Sequence, residues 1–257
     1  MSYLDTLSKE QKTNIGIITE EAKKQGITNP NTIAGMLAIV SKESAFIPRE
    51  EKSYAGTSNS RIRKVFGSRV PSSDSALNTL KANPKQFFDR IYGDRYGNNA
   101  DEGYKYRGRG FNQLTFKGNY EKFGDNIGVD LVKNPDKVNN VRTAAKVLIA
   151  YNKEGIDSLK KHNKLGAYNA ENINDFKTPV DSTLAFYHAT AGSGKDVSYV
   201  KGLQKNDHLG GMTKALKRVN ELLLASKMYV KKNKFKTVLV VSITIIAIYS
   251  LVKILKK

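Results

Sequence analysis

Residues 104–120 read YKYRGRGFNQLTFKGNY. An Arg-Gly-Arg-Gly run occupies 107–110, a Gln-Leu-Thr triplet 113–115 and an Asn-Tyr pair 119–120. Glycines on both sides of Arg109 let the backbone turn tightly or come close to a ligand. Amides, hydroxyls, guanidiniums and tyrosines alternate here without the apolar period of a buried strand or an amphipathic helix. The mixture suits binding a neutral, hydroxyl-rich molecule. Composition alone describes a polar surface loop equally well, so the rest of the chain has to decide.

Upstream, Ser8 and Gln11 form a capping-box pattern that opens a first helix, with Ile15, Ile18 and Ala22 on one face and Gly26 as its stop. Asn29-Pro30 fits the N-cap and first position of a second helix, PNTIAGMLAIVSKES. Its apolar stripe is Ile33, Leu37 and Val40, and Glu43 follows three residues later, on the inward side. A carboxylate there is expected to lose water, which favours its protonated form. A general acid working near neutral pH needs that condition. Glu50 and Glu51 come next, then short helical pieces around 62–66, 76–81 and 87–91, with Asn83-Pro84 breaking the last two apart.

Beyond the opening stretch, residues 142–151 and 180–189 read as helices. The run ATAGSGKD at 189–196 imitates a phosphate loop but lacks its Gly-Lys-Ser/Thr ending and a preceding strand, and reads as a turn. Strand signals are sparse and helix signals recur, so a mainly α domain is expected over 1–226.

The 257 residues carry a formal charge of +19, no cysteine and three scattered histidines, His162, His188 and His208. Disulfides, thiolate metal sites and cysteine nucleophiles are excluded, and neither a metal site nor a cofactor is expected. The charge predicts attraction to a polyanion, whether nucleic acid, anionic lipid or a cell-wall polymer. The opening MSYLDTLSKEQK has neither the basic start nor the apolar core of a secretory signal.

The far end differs. Residues 238–252 read VLVVSITIIAIYSLV without a charge, and eight lysines lie between 227 and 257 with no acid after Glu221. With Lys236 and Lys253 snorkelling, 235–255 is long enough to cross a bilayer. A C-terminal transmembrane anchor over 227–257 is therefore expected, in a virion membrane or a host cell membrane, its basic flanks held by lipid headgroups. Eight of the nineteen net charges sit there, which leaves +11 on the body.

Two carboxylates beside a groove of amides, hydroxyls and tyrosines suggest glycoside hydrolysis. The run YRGRGFNQLTFKGNY, preceded by RYGN at 95–98 and followed by GVDLVKNPDKV, resembles glycoside hydrolase family 19, as does the earlier pattern ESAF, EEKSY and VFGSR. That family includes plant-type chitinases and bacteriophage endolysins, and the resemblance implies a lysozyme-like helical fold. By position it implies Glu43 as general acid and Gln113 and Asn119 as sugar contacts. Thr115 takes the place of a hydroxyl that helps hold the attacking water. Glu50 and Glu51 compete for the second carboxylate, Glu50 being favoured by its spacing to Tyr54. Tyr54, Tyr106, Arg107, Arg109 and Tyr120 complete the candidate substrate-binding set. The family is inverting, which implies carboxylates about 6.5–9.5 Å apart with a water between them.

Two departures stand out. Lys42 precedes the acid where the family usually has His or a similar residue, and ATAGSG at 189–194 replaces a late Asn-Gly-Gly turn. The expected function is membrane-anchored cleavage of β-1,4 bonds between amino sugars in bacterial peptidoglycan, in phage lysis or virion entry. Other virion proteins are expected as partners, and no specific nucleic acid. The rival expectations are a chitinase and an inactive glycan-binding virion structural protein.

Overall fold

The computed structural model describes residues 2–198, 200 and 213–228, and these are mainly helical. Helix α1 (Lys9–Lys24) opens on the expected capping box, with Gln11 N–H donating to Ser8 Oγ and Ser8 N–H to Gln11 Oε1. Helix α2 (Pro30–Glu43) starts with the Asn29 side chain accepting from Asn31 N–H. It is buried nearly all round, as a central core helix is. The short helices α3 (Asn59–Phe66), α4 (Asp74–Ala82) and α5 (Pro84–Tyr92) follow, α5 capped by Asn83 as the Asn-Pro break predicts. Two-residue strands β1 (Arg49–Glu50) and β2 (Arg109–Gly110) make the one small sheet described. Helices α6 (Lys117–Ile127), α7 (Val141–Lys161) and α8 (Pro179–Gly192) complete the body, and α9 spans 213–228.

Three apolar clusters organise these elements. The largest joins α1, α2, α7, α8 and α9 through Ile18, Leu37, Leu148, Phe186 and Leu222. A second, built on Phe66, Leu77, Phe87, Phe88 and Ile91, holds α3 to α5 together. The third packs Tyr106, Leu114, Tyr120, Phe123 and Val147 between the sheet, α6 and α7. Helices α2 and α8 meet at Gly35, where a Cβ would come within 2.1 Å of Ser182 Oγ and 2.8 Å of Thr183 N. Only glycine allows that approach.

Four expectations change. Glu43 is not on the buried stripe: its side chain is 41% exposed. The stripe continues at four-residue spacing from Val40 to the buried Ser44, and the chain then turns through Ala45 and Phe46, both at positive φ. Helix α1 holds that turn, with Gln11 Nε2 donating to Ala45 O at 2.9 Å and Asn14 Nδ2 to Phe46 O at 2.8 Å. Helix α7 extends ten residues past 151, burying Asn152, Ile156 and Leu159 on one side. Gly155 masks this continuation in the sequence, and its missing side chain makes room for Ala189 of α8. Helix α6 begins inside the opening stretch, burying Tyr120, Phe123 and Gly124 at helical spacing. The run at 189–196 is in part the last turn of α8, which ends at Gly192.

No helix of the described residues is long and apolar enough to cross a membrane. The apolar run 238–252 and most of the anchor expected over 227–257 lie outside the described residues.

One buried group of α8 titrates. His188 has no exposed surface, and its Nδ1 lies 2.8 Å from the Tyr168 hydroxyl and its Nε2 3.0 Å from Lys195 O. With Nδ1 accepting and Nε2 donating, the geometry selects a neutral ring. Burial, the largest effect, holds its pKa below the ordinary 6.5, and Lys164 adds to this. A histidine whose folded pKa is depressed stabilises fully above its unfolded pKa and loses that contribution as pH falls. The melting temperature is therefore expected to drop as pH is lowered below about 6.5, and the slope should weaken in His188→Asn. Calorimetry at several pH values checks this, and an equal slope in both proteins would contradict it.

Candidate active site

The sheet decides where the acidic residues point. Strands β1 and β2 are antiparallel, pairing Arg49 with Gly110 and Glu50 with Arg109. The ladder continues through Glu51 N–H, which donates to Gly108 O at 2.9 Å. Arg109 and Leu114 exchange two further backbone hydrogen bonds, 3.1 and 2.8 Å, closing a hairpin. Side chains alternate along a strand. Glu50, Arg107 and Arg109 therefore share the face on which Leu114 is buried in the third cluster, while Glu51 and Gly108 share the opposite face.

Gln113 reaches that opposite face from the hairpin tip. A Cβ on Gly108 would lie 2.9 Å from both Gln113 Oε1 and Glu51 Oε2, so the two side chains close over a bare backbone. Gln113 adopts a positive φ of 53°, a conformation that non-glycine residues take at a cost of order 1 kcal/mol. Its Nε2 offsets this by donating to Arg49 O at 2.9 Å and Gly110 O at 3.3 Å. Thr115 Oγ1 donates to Gln113 O at 2.9 Å, and Asn119 Nδ2 to Thr115 O at 2.8 Å. Gln113, Thr115 and Asn119 thus form one linked and partly exposed group.

The Glu51 carboxylate is held from three sides. Oε1 accepts from the hydroxyls of Tyr54 (2.9 Å) and Tyr92 (3.1 Å), and Oε2 from Gly108 N–H (2.9 Å). Burial first, and then the Glu51 charge, push both phenols far above their ordinary range. They remain protonated donors.

Glu50 is tied up differently. Its Oε2 lies 2.9 Å from Arg107 Nη2 and 3.6 Å from Arg109 Nε. Arg107 also donates from Nε to Glu51 O at 2.7 Å and from Nη1 to Tyr104 O at 2.7 Å. Arg109 continues the network to Lys105 O at 2.8 Å and to Asp136 at 2.9 Å. A cavity of about 680 Å³ opens here, lined by Glu50, Tyr104, Arg107, Arg109 and Asp136. Glu50 and its arginines therefore brace the strand that carries Glu51.

The candidate sugar contacts divide accordingly. Tyr54, Gln113, Thr115 and Asn119 keep exposed surface. Tyr106 and Tyr120 have none: their rings pack in the third cluster, and their hydroxyls donate to Val132 O and Arg107 O. Arg107 and Arg109 are 6% and 2% exposed, their guanidiniums spent on backbone carbonyls and acids. These four build the scaffold instead of facing a sugar.

Glu43 stands at the exposed end of α2, its Oε1 3.0 Å from Lys42 Nζ. Lys42 in turn sits over the Tyr187 ring, 5.5 Å from its centroid. On another side Glu43 acts on Tyr151 of α7, whose hydroxyl is pushed up by burial first and then by Glu154 and Glu43. Sequence reasoning missed Tyr92 and the Gly108 amide as Glu51 partners. Tyr92 ends α5, and only the fold brings it to a residue forty-one positions earlier.

Comparison with known proteins bears on this site. A family model described as chitinase class I, of the glycoside hydrolase 19 group, matches residues 89–152, which run from within α5 into α7. A glycosyl hydrolase family 19 domain-containing protein of Haemophilus influenzae is 32% identical over 141 residues, covering 52% of this chain and 67% of that protein.

Proposed function

The chain belongs to glycoside hydrolase family 19 and is a glycoside hydrolase, and from that premise we propose that it cuts the β-1,4 bond between amino sugars in bacterial peptidoglycan. Glu43 is the general acid, protonating the departing glycosidic oxygen once bound glycan covers its exposed carboxylate and removes water from it. Glu51 is the base that activates water, and Thr115 and Gln113 help to hold that water and the sugar, with Asn119 bracing them. Attack from the face opposite the leaving group inverts the anomeric centre without a covalent intermediate.

One observation carries the choice of base. The Glu51 carboxylate and the Gln113 amide meet over Gly108, on the sheet face opposite Glu50. Spacing to Tyr54 favours Glu50, but its carboxylate is engaged with Arg107 and Arg109. Glu51 also contacts Tyr54 directly. The strongly basic body favours an anionic wall polymer over neutral chitin.

The description of the matching family model favours the second reading, a chitinase. Clearing of murein gels by the wild type, with little release from chitin, is expected. Chitin cleavage without murein cleavage would reverse the order. The apolar run 235–255 would hold the enzyme at a viral or host membrane. Flotation of the full chain with anionic vesicles tests this, and protein left in the dense fraction counts against it.

A further inference from the structure

Helix α9 comes from outside the segment matched by the family model, yet it reaches the end of α2 that carries Glu43. Glu221 Oε2 accepts from Leu4 N–H at 3.2 Å, and the Arg218 guanidinium stacks 4.2 Å from the centroid of the Tyr3 ring. Arg218 Nη1 also lies 3.5 Å from Ser41 O, two residues before Glu43. A cavity of about 580 Å³ opens in this corner, lined by Glu43, Lys42, Gln11, Thr6, Lys214 and Arg218 among others.

The charge around this cavity is one-sided. Lys42 is engaged with Glu43 at 3.0 Å. Lys214 is exposed and Arg218 half-buried, and neither makes an ion pair among the described residues. Glu221, one turn beyond Arg218, is directed to the Leu4 amide. Two cations that pair with no carboxylate among the described residues thus face a space whose wall includes the acid. A neutral sugar polymer offers them only uncharged acceptors. A glycan bearing carboxylates offers a charge-assisted partner beside the bond being cut.

We infer that this cavity, with Lys214 and Arg218, is a subsite for a carboxylate carried on the glycan by the stem peptide of the amino sugar. The inference rests on the peptidoglycan reading and adds the group that distinguishes this substrate from chitin. The subsite acts on binding, so its loss raises KM and leaves the chemical step nearly unaffected.

The test crosses a protein change with a substrate change, so that only the shared contact registers. Full-length protein in detergent is assayed on murein stripped of phosphodiester polymers. The same murein is also used after its carboxylates are amidated with a carbodiimide and methylamine. Wild type is expected to show about three- to fivefold higher KM on amidated murein, a size fitting one partly exposed charge contact. Lys214→Glu, an exposed change that disturbs no packing, should lose that preference, and Arg218→Gln should weaken it. Raised salt should shrink the difference. An undiminished preference in Lys214→Glu, or none in the wild type, overturns the subsite alone. A preference seen only with unstripped murein makes phosphate the anion and also overturns it. A wild type inert on murein removes the peptidoglycan reading as well.

Discussion

Glu43→Gln is expected to lower kcat on murein by about 10²- to 10⁴-fold, the usual contribution of one positioned acid or base. Glutamine keeps the shape of the side chain and cannot deliver a proton to the leaving oxygen. The fold should not suffer. Glu43 is 41% exposed at a helix end, and its ion pair is with its immediate neighbour Lys42. Stability changes at such positions stay within about 0.5 kcal/mol. The measurement is murein turnover beside a melting curve for each protein. Equal turnover by wild type and variant would remove Glu43 from the mechanism, whereas no turnover of murein by either would turn the test to chitin.

The second large effect separates two adjacent residues. Glu51→Gln should also cost about 10²- to 10⁴-fold in kcat, because an amide cannot take the proton of the attacking water. Glu50→Gln should act mainly on stability. It leaves Arg107, 8% exposed along its side chain, without its carboxylate. Removing one partner of a buried pair costs several kcal/mol, and the partial exposure of Glu50 reduces this to about 1–3 kcal/mol. Its rate should fall less than about tenfold once folded protein is compared with folded protein. Steady-state rates and urea melts of both variants distinguish the roles. A Glu50→Gln enzyme that is stable and dead, beside an active Glu51→Gln, would exchange them.

Spacing could not make that choice. Consecutive residues of a strand point to opposite faces, so the register alone decides which carboxylate meets Gln113. That register depends on a pairing with residues 108–110, almost sixty positions away. The first two helices were legible because their starts are written locally, in the Ser8–Gln11 box and in Asn29-Pro30. Glu43 ends α2 as the sequence suggests, but the burial expected of it does not occur, because the buried stripe steps from Val40 to Ser44. The stretch 104–120 concealed two jobs in one composition. Gln113 and Thr115 keep surface in the site, while Tyr106 and Tyr120 are scaffold whose hydroxyls are satisfied internally. A tyrosine that binds sugar and one that fills a core look alike until burial is known. The approach of α9 to Glu43 had no local signal, since Leu4 and Glu221 stand 217 positions apart.

The central claim is direct displacement at an amino-sugar carbon by water that Glu51 activates while Glu43 protonates the leaving group. Proton NMR of the first reducing ends released from murein tests it most directly. The α-anomer, inverted from the β-linkage, is the result expected. Initial release of the β-anomer would require a covalent intermediate and contradict these roles.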